Sequence, residues 1–197
     1  MRKLLIVGCI FTAVLFSANA QAFYADAGFG FGRVNTSLDG NDISDTFKTA
    51  GISVNETGID LGVKAGYGPI ANIPLYIVGT FVGTGHRLTD VNGDYFQYNS
   101  YLIGPGIIFY PIPLIQLAGS FGYSFTGNQT SLPETMLGST GGLAGEASAA
   151  IDLGKGNHGL LLGLKYFWAT NTLETIEVEQ NTSAVSIFVR YALRQKL

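Results

Sequence analysis

The chain has 197 residues, of which 47% are apolar, 12% aromatic and only 13% charged, with a formal net charge of −3. A soluble domain carries roughly 25% charged residues, so this chain is poor in charge for a protein that meets water on all sides. An acidic balance excludes general electrostatic attraction to nucleic acid.

The N-terminus reads as an export signal. Arg2 and Lys3 precede an apolar run from Leu4 to Phe16, and small residues follow at Ser17, Ala18 and Ala20. Ala18-Asn19-Ala20 and Ala20-Gln21-Ala22 both fit a small-x-small cleavage site. A retained anchor is the competing reading, but a spanning helix needs about 20 apolar residues. Residues 1–22 are therefore read as a cleaved signal peptide and 23–197 as one domain. Cys9, the only cysteine, falls inside the apolar run and leaves with the signal. The mature chain would hold 9 basic and 14 acidic residues, a balance of −5, and no disulfide.

From Phe23 onward the pattern has period two. Phe23, Ala25, Ala27, Phe29 and Phe31 share one face, opposite Gly28, Gly30 and Gly32. From Thr57 to Tyr67 an apolar face opposes Asp60, Gly62, Lys64 and Gly66. Strands near 75–88, 96–110 and 114–125 follow, with apolar residues on both faces. The uncharged stretch from Tyr95 to Phe125 contains Pro105, Pro111 and Pro113, which exclude a spanning helix. From Leu143 to Leu153 the apolar face opposes Glu146, Ser148 and Asp152. From Leu160 to Trp168 it opposes Lys165, and from Val185 to Leu193 it opposes Ser186 and Arg190.

Eight strands of spanning length predict an all-β fold: an eight-stranded antiparallel up-and-down transmembrane β-barrel. Only a closed barrel satisfies the backbone of strands in lipid. Connections at 39–55, 126–142 and 171–182 read as long and those at 68–74, 111–113 and 154–158 as short, with 89–95 intermediate and nearly equal in length to 68–74. Long outer loops and short periplasmic turns are the habit of such barrels. Acidic residues fall at the long-loop end: Asp39, Asp42, Asp45, Asp90, Asp94, Glu134, Glu174, Glu177 and Glu179, with Lys48 their clearest basic partner. Lys155, Arg194 and Lys196 fall at the other end. Aromatics near the strand ends read as girdles, with Phe23, Tyr24, Tyr67, Tyr76, Phe109, Tyr110 and Tyr191 at the short-turn end. The other girdle comprises Tyr95, Phe96, Tyr98, Tyr123, Phe125 and Trp168. A soluble secreted barrel would alternate too, but with more charge on its strands.

With its signal, eight alternating segments and final strand Val185–Leu193, the chain resembles the small bacterial outer-membrane barrels, the OmpA-transmembrane, OmpX and OmpW-like group. The resemblance is architectural. It implies residence in the bacterial outer membrane with both mature termini periplasmic. It also implies insertion by the barrel-assembly machinery, and outer-membrane lipids as neighbours, lipopolysaccharide among them. The terminal aromatic common in that group is displaced here, since six residues follow Tyr191.

The alternation aims Asp60, Lys64, Glu146, Asp152, Lys165 and Arg190 at the interior. Three acids and three bases read as a self-paired network filling a narrow barrel, or as a polar pathway. The interior is also rich in Gly, Ala and Ser, which fits either a narrow cavity or tight strand packing. No nucleophile and base pair marks an enzyme: His158 is assigned to a short turn, and His86 lies near the long-loop end beside Ser100 and acidic loops. No catalytic, cofactor or metal site is expected. The function predicted is a narrow pore or carrier for small solutes, apolar ones among them. The alternative is a monomeric structural or surface-interaction protein, adhesin-like, with a plugged interior.

Overall fold

The computed structural model describes residues 22–70, 73–131, 139–173 and 177–194. The predicted signal segment up to residue 21 lies outside these residues, as do Glu134, Glu174 and Lys196.

Eight long strands follow in order: β1 (Ala22–Leu38), β2 (Val54–Gly68), β3 (Leu75–Asp90), β4 (Tyr95–Ile112), β5 (Ile115–Thr126), β6 (Ser139–Asp152), β7 (His158–Leu173) and β8 (Glu179–Arg194). Each pairs antiparallel with the next, and β8 pairs antiparallel with β1 from Tyr24↔Arg194 to Leu38↔Gln180. The sheet therefore closes on itself, and a closed sheet leaves no edge to satisfy. No helix among the described residues is long and apolar enough to cross a membrane.

The alternation is inside out relative to a soluble protein. Large apolar side chains stand exposed on the outer wall: Phe29 and Phe31 on β1, Leu61 and Val63 on β2, Ile103 and Ile107 on β4, Leu162 and Leu164 on β7, Val185 and Ile187 on β8. Asp26, Asp60, Lys64, Glu146, Asp152, Lys165, Arg190 and Arg194 turn inward and are buried, whereas Arg33, Glu56 and Glu179, near the strand ends beside the 39–53 connection, are exposed. An apolar band of this kind fits a hydrocarbon surround rather than water. Aromatic rings also cover outer glycines. A Cβ on Gly83 would lie 2.8 Å from the ring of Tyr101, its partner on β4, and one on Gly145 would lie 2.8 Å from Nε1 of Trp168 on β7.

The connections correct the expected rhythm of long and short loops. Only 91–94 separates β3 from β4, and only 174–178 separates β7 from β8, so both are as tight as the 69–74 and 153–157 turns at the opposite end. What reads in sequence as loop there is strand projecting beyond the apolar band. The 39–53 connection contains a short helix, α1 (Ile43–Thr49), which the sequence reading treated as loop. Asp42 is its N-cap, accepting from Ser44 N at 2.8 Å and Asp45 N at 3.3 Å. Ile43 and Ser44 are buried, and Phe47 packs on Phe96 with ring centroids 5.6 Å apart, so α1 lies over the mouth of the barrel.

Candidate functional site

The interior is built in layers. At the end holding the 113–114 turn, Tyr24, Tyr76 and Tyr110 point inward and pack together, with ring centroids 5.2 Å and 6.0 Å apart. Gln116 Nε2 donates to Tyr24 Oη at 2.8 Å and to Tyr110 Oη at 2.7 Å. Arg194 is ion-paired with Asp152 and donates to Tyr110 Oη at 3.2 Å. These three tyrosines are not girdle residues as the sequence suggested; they plug the lumen. Phe23 and Tyr191, their neighbours in the predicted girdle, do face outward. Nor is Arg194 a surface cation, because its side chain is buried in the same plug.

Above the plug lies a lattice of charges. Lys64 pairs with Glu146, and Lys165 with Asp60. Arg190 stands between Asp26, 3.6 Å from Nη1, and Glu146, 3.9 Å from Nη2. Tyr24 donates to Asp26 at 2.7 Å, Ser186 to Asp60 at 3.0 Å and Ser120 to Glu146 at 3.2 Å. All six charges named from the sequence are buried within the barrel. Five belong to this lattice, while Asp152 joins the tyrosine plug. Sequence reasoning missed Asp26 and Arg194, which make the inner set four acids and four bases. Parity was the available signal. Asp26 shares the face of Gly28, Gly30 and Gly32, and Arg194 shares that of Ser186 and Arg190.

The small residues of the interior have a specific use. A Cβ on Gly28 would first meet the β8 backbone at Val189 O and Arg190 Cα, and one on Gly62 would lie 2.8 Å from Arg190 Nη2. Gly28 therefore lets β8 approach closely, and Gly62 leaves room for a guanidinium instead of a void. Gly62→Ala is expected to lower stability by about 1–3 kcal/mol, the usual cost of overpacking. Urea titration of the folded barrel in lipid vesicles would measure it.

An apolar layer follows, with Val34, Val82, Leu102, Phe167 and Ala184 in one cluster. Above it, the Ser100 and Thr182 hydroxyls lie 2.8 Å apart and Asn128 donates to Gln180 at 2.8 Å. His86 faces inward at this end. Its Nδ1 lies 3.2 Å from Thr36 Oγ1 and its Nε2 lies 3.6 Å from a Glu56 carboxylate oxygen. The structure thus gives His86 an acidic neighbour, and that neighbour is Glu56. His158 opens β7 and bonds the Tyr191 hydroxyl on the outer surface, far along the barrel from His86.

Three of these contacts join strands diametrically opposite in the ring. Gln116 on β5 reaches Tyr24 on β1, Lys64 on β2 reaches Glu146 on β6, and Ser100 on β4 reaches Thr182 on β8. They do so at three heights, and each spans the lumen from wall to wall.

No protein-family model matches this sequence, and no curated protein matches it either. Solved structures do match. The chain is similar to Ail, the attachment invasion locus protein of Yersinia pestis, solved in complex with the heparin analogue sucrose octasulfate. Sequence identity is 14%, the TM-score is 0.53, and the match covers 87% of this chain and 99% of that one. It is also similar to Neisserial surface protein A, at 15% identity and a TM-score of 0.55, over 87% of this chain and 97% of that one. At such identities the likeness concerns the fold: this chain has the fold of the small outer-membrane β-barrels.

Proposed function

We propose that this chain is an outer-membrane barrel with a filled interior that acts through its loop end as a structural or surface-interaction protein, and is neither a solute pore nor an enzyme. In this reading the end bearing α1 faces the exterior and both barrel termini face the periplasm. The observation that supports it is the set of side-chain contacts between opposite strands, backed by the tyrosine plug below and α1 above. Buried charges that pair with one another hold a lumen shut and leave no free charge to attract a solute. The polar residues at the loop end, with Asp39, Asp45, Asp90, Asp94 and Lys48 in or beside its connections, are then the groups a partner meets first.

Planar-bilayer recording of the refolded chain tests the reading. No step conductance is expected from the wild type. Regular conductance steps from the intact barrel would overturn it and restore the pore or carrier for small solutes. Opening the plug supplies a positive control: with Tyr24, Tyr76 and Tyr110 all changed to Ala, leak current is expected.

A further inference from the structure

At the end of the barrel beside α1, the ring parts between β1 and β2. Pairing of β1 with β2 stops at Gly32↔Gly58. Beyond that rung, Arg33–Leu38 stays on β8, while Val54–Thr57 stays on β3. The two strands part and leave a slit in the wall, roofed by the two-residue strand Asn41–Asp42, which pairs with the end of β1. A cleft of about 330 Å³ opens there, lined by Gly32, Arg33, Val34, Glu56, Gly58 and His86. That is near the lower end of ligand-site volumes, which run ~300–1,000 Å³.

The chemistry of the lining is specific. His86 is almost wholly buried, and its Nε2 faces Glu56 without a hydrogen bond to any of the described residues. Among the described residues the Glu56 carboxylate has only loose partners, His86 at 3.6 Å and Lys48 at 3.8 Å, both beyond hydrogen-bond length. Arg33 flanks the slit on the outer side and is exposed, with Arg87 on the outer face of β3 at the rung of Thr57. Directly below, the outer wall turns apolar at Phe31, Phe29, Ile59 and Leu61. From inside outward the site therefore offers an acceptor, then a cation, and then an apolar wall beneath both.

We infer that this slit binds the headgroup of a membrane lipid bearing a primary ammonium next to a phosphate, as in phosphatidylethanolamine. The ammonium enters and donates to Glu56 and, in its neutral form, His86 Nε2. The phosphate stays at the rim on Arg33, and the acyl chains lie on Phe31 and Ile59. A phosphate without an amine would meet the Glu56 carboxylate unaided, and a quaternary ammonium has no N–H to donate. The inference rests on the membrane reading above and goes beyond it by naming a ligand class.

The test titrates short-chain phosphatidylethanolamine, phosphatidylglycerol and water-soluble phosphoethanolamine into the isotopically labelled protein in phosphocholine micelles. Amide shifts of Gly32, Gly58 and His86 are read. Saturable shifts with the ethanolamine lipid, weaker ones with the glycerol lipid, and none with free phosphoethanolamine at equal concentration are expected. Glu56→Gln is expected to weaken the ethanolamine lipid about tenfold, the loss of one charge-assisted hydrogen bond. It should leave the glycerol lipid bound no more weakly than before and the spectrum dispersed. Equal response to both lipids, equal response to free phosphoethanolamine, or an unchanged Glu56→Gln titration would overturn the inference. Failure of the wild type to give a dispersed β spectrum or to insert into vesicles would instead sink the membrane reading.

Discussion

Replacing Glu146 with leucine is expected to destabilise the barrel by about 3–5 kcal/mol, because it strands buried cations inside the wall. Glu146 faces Lys64 and Arg190 together, and all three are buried. Leucine fills a similar volume, so the loss reports the uncompensated charge and not a cavity. Urea unfolding in lipid vesicles, followed by the fluorescence of the single Trp168, measures it. The double variant Glu146→Leu/Lys64→Met removes one charge of each sign. It is expected to be more stable than the sum of its two single changes, by a coupling energy of about 0.5–3 kcal/mol. Additive losses would show that Lys64 and Glu146 do not interact, and a single loss below about 1 kcal/mol would place the pair in water. If the leucine variant fails to fold, Glu146→Gln keeps the shape and removes only the charge.

The second large effect lies on the opposite face. Leu164 sits mid-band on the outer wall of β7, between Leu162 and Tyr166, and is 58% exposed. Leu164→Arg is expected to cost about 2–4 kcal/mol in a bilayer, as a cation at the midplane of a barrel does. Asn55→Arg, on the outer face of β2 above the apolar band, is expected to cost only about 0–1 kcal/mol. The ratio between the two is the useful quantity. A soluble barrel would tolerate arginine at both positions, since exposed substitutions in water usually stay within about 0.5 kcal/mol. Equal, small losses would therefore remove the hydrocarbon surround, whatever the fold.

Much of the fold was legible because strands in a barrel wall obey a strict period of two. Wherever one face was polar and the other apolar, as at Thr57–Tyr67 or Leu160–Trp168, alternation fixed both strand and facing. Where both faces were apolar or aromatic, it fixed the strand alone. Tyr76 and Tyr110 were misplaced for that reason, whereas Tyr24 shares the parity of Asp26 and Gly28 and was misplaced because an aromatic near a strand end fits the interface and the lumen equally well in sequence. The loop rhythm was overstated because polar ends of strands projecting above the apolar band carry loop-like composition.

The amino-acid sequence by itself determined the strand count, the antiparallel order and the inward facing of Asp60, Lys64, Glu146, Asp152, Lys165 and Arg190, since these follow from local periodicity and short connections. Tertiary structure alone decided which acid meets which base, because residues on β2 and β6 are neighbours only once the ring has closed and its stagger has set their heights. It also decided that Gly62 makes room for Arg190 and that the wall parts above Gly32 and Gly58. Both depend on where one strand's register stops against another, a relation that no single segment encodes.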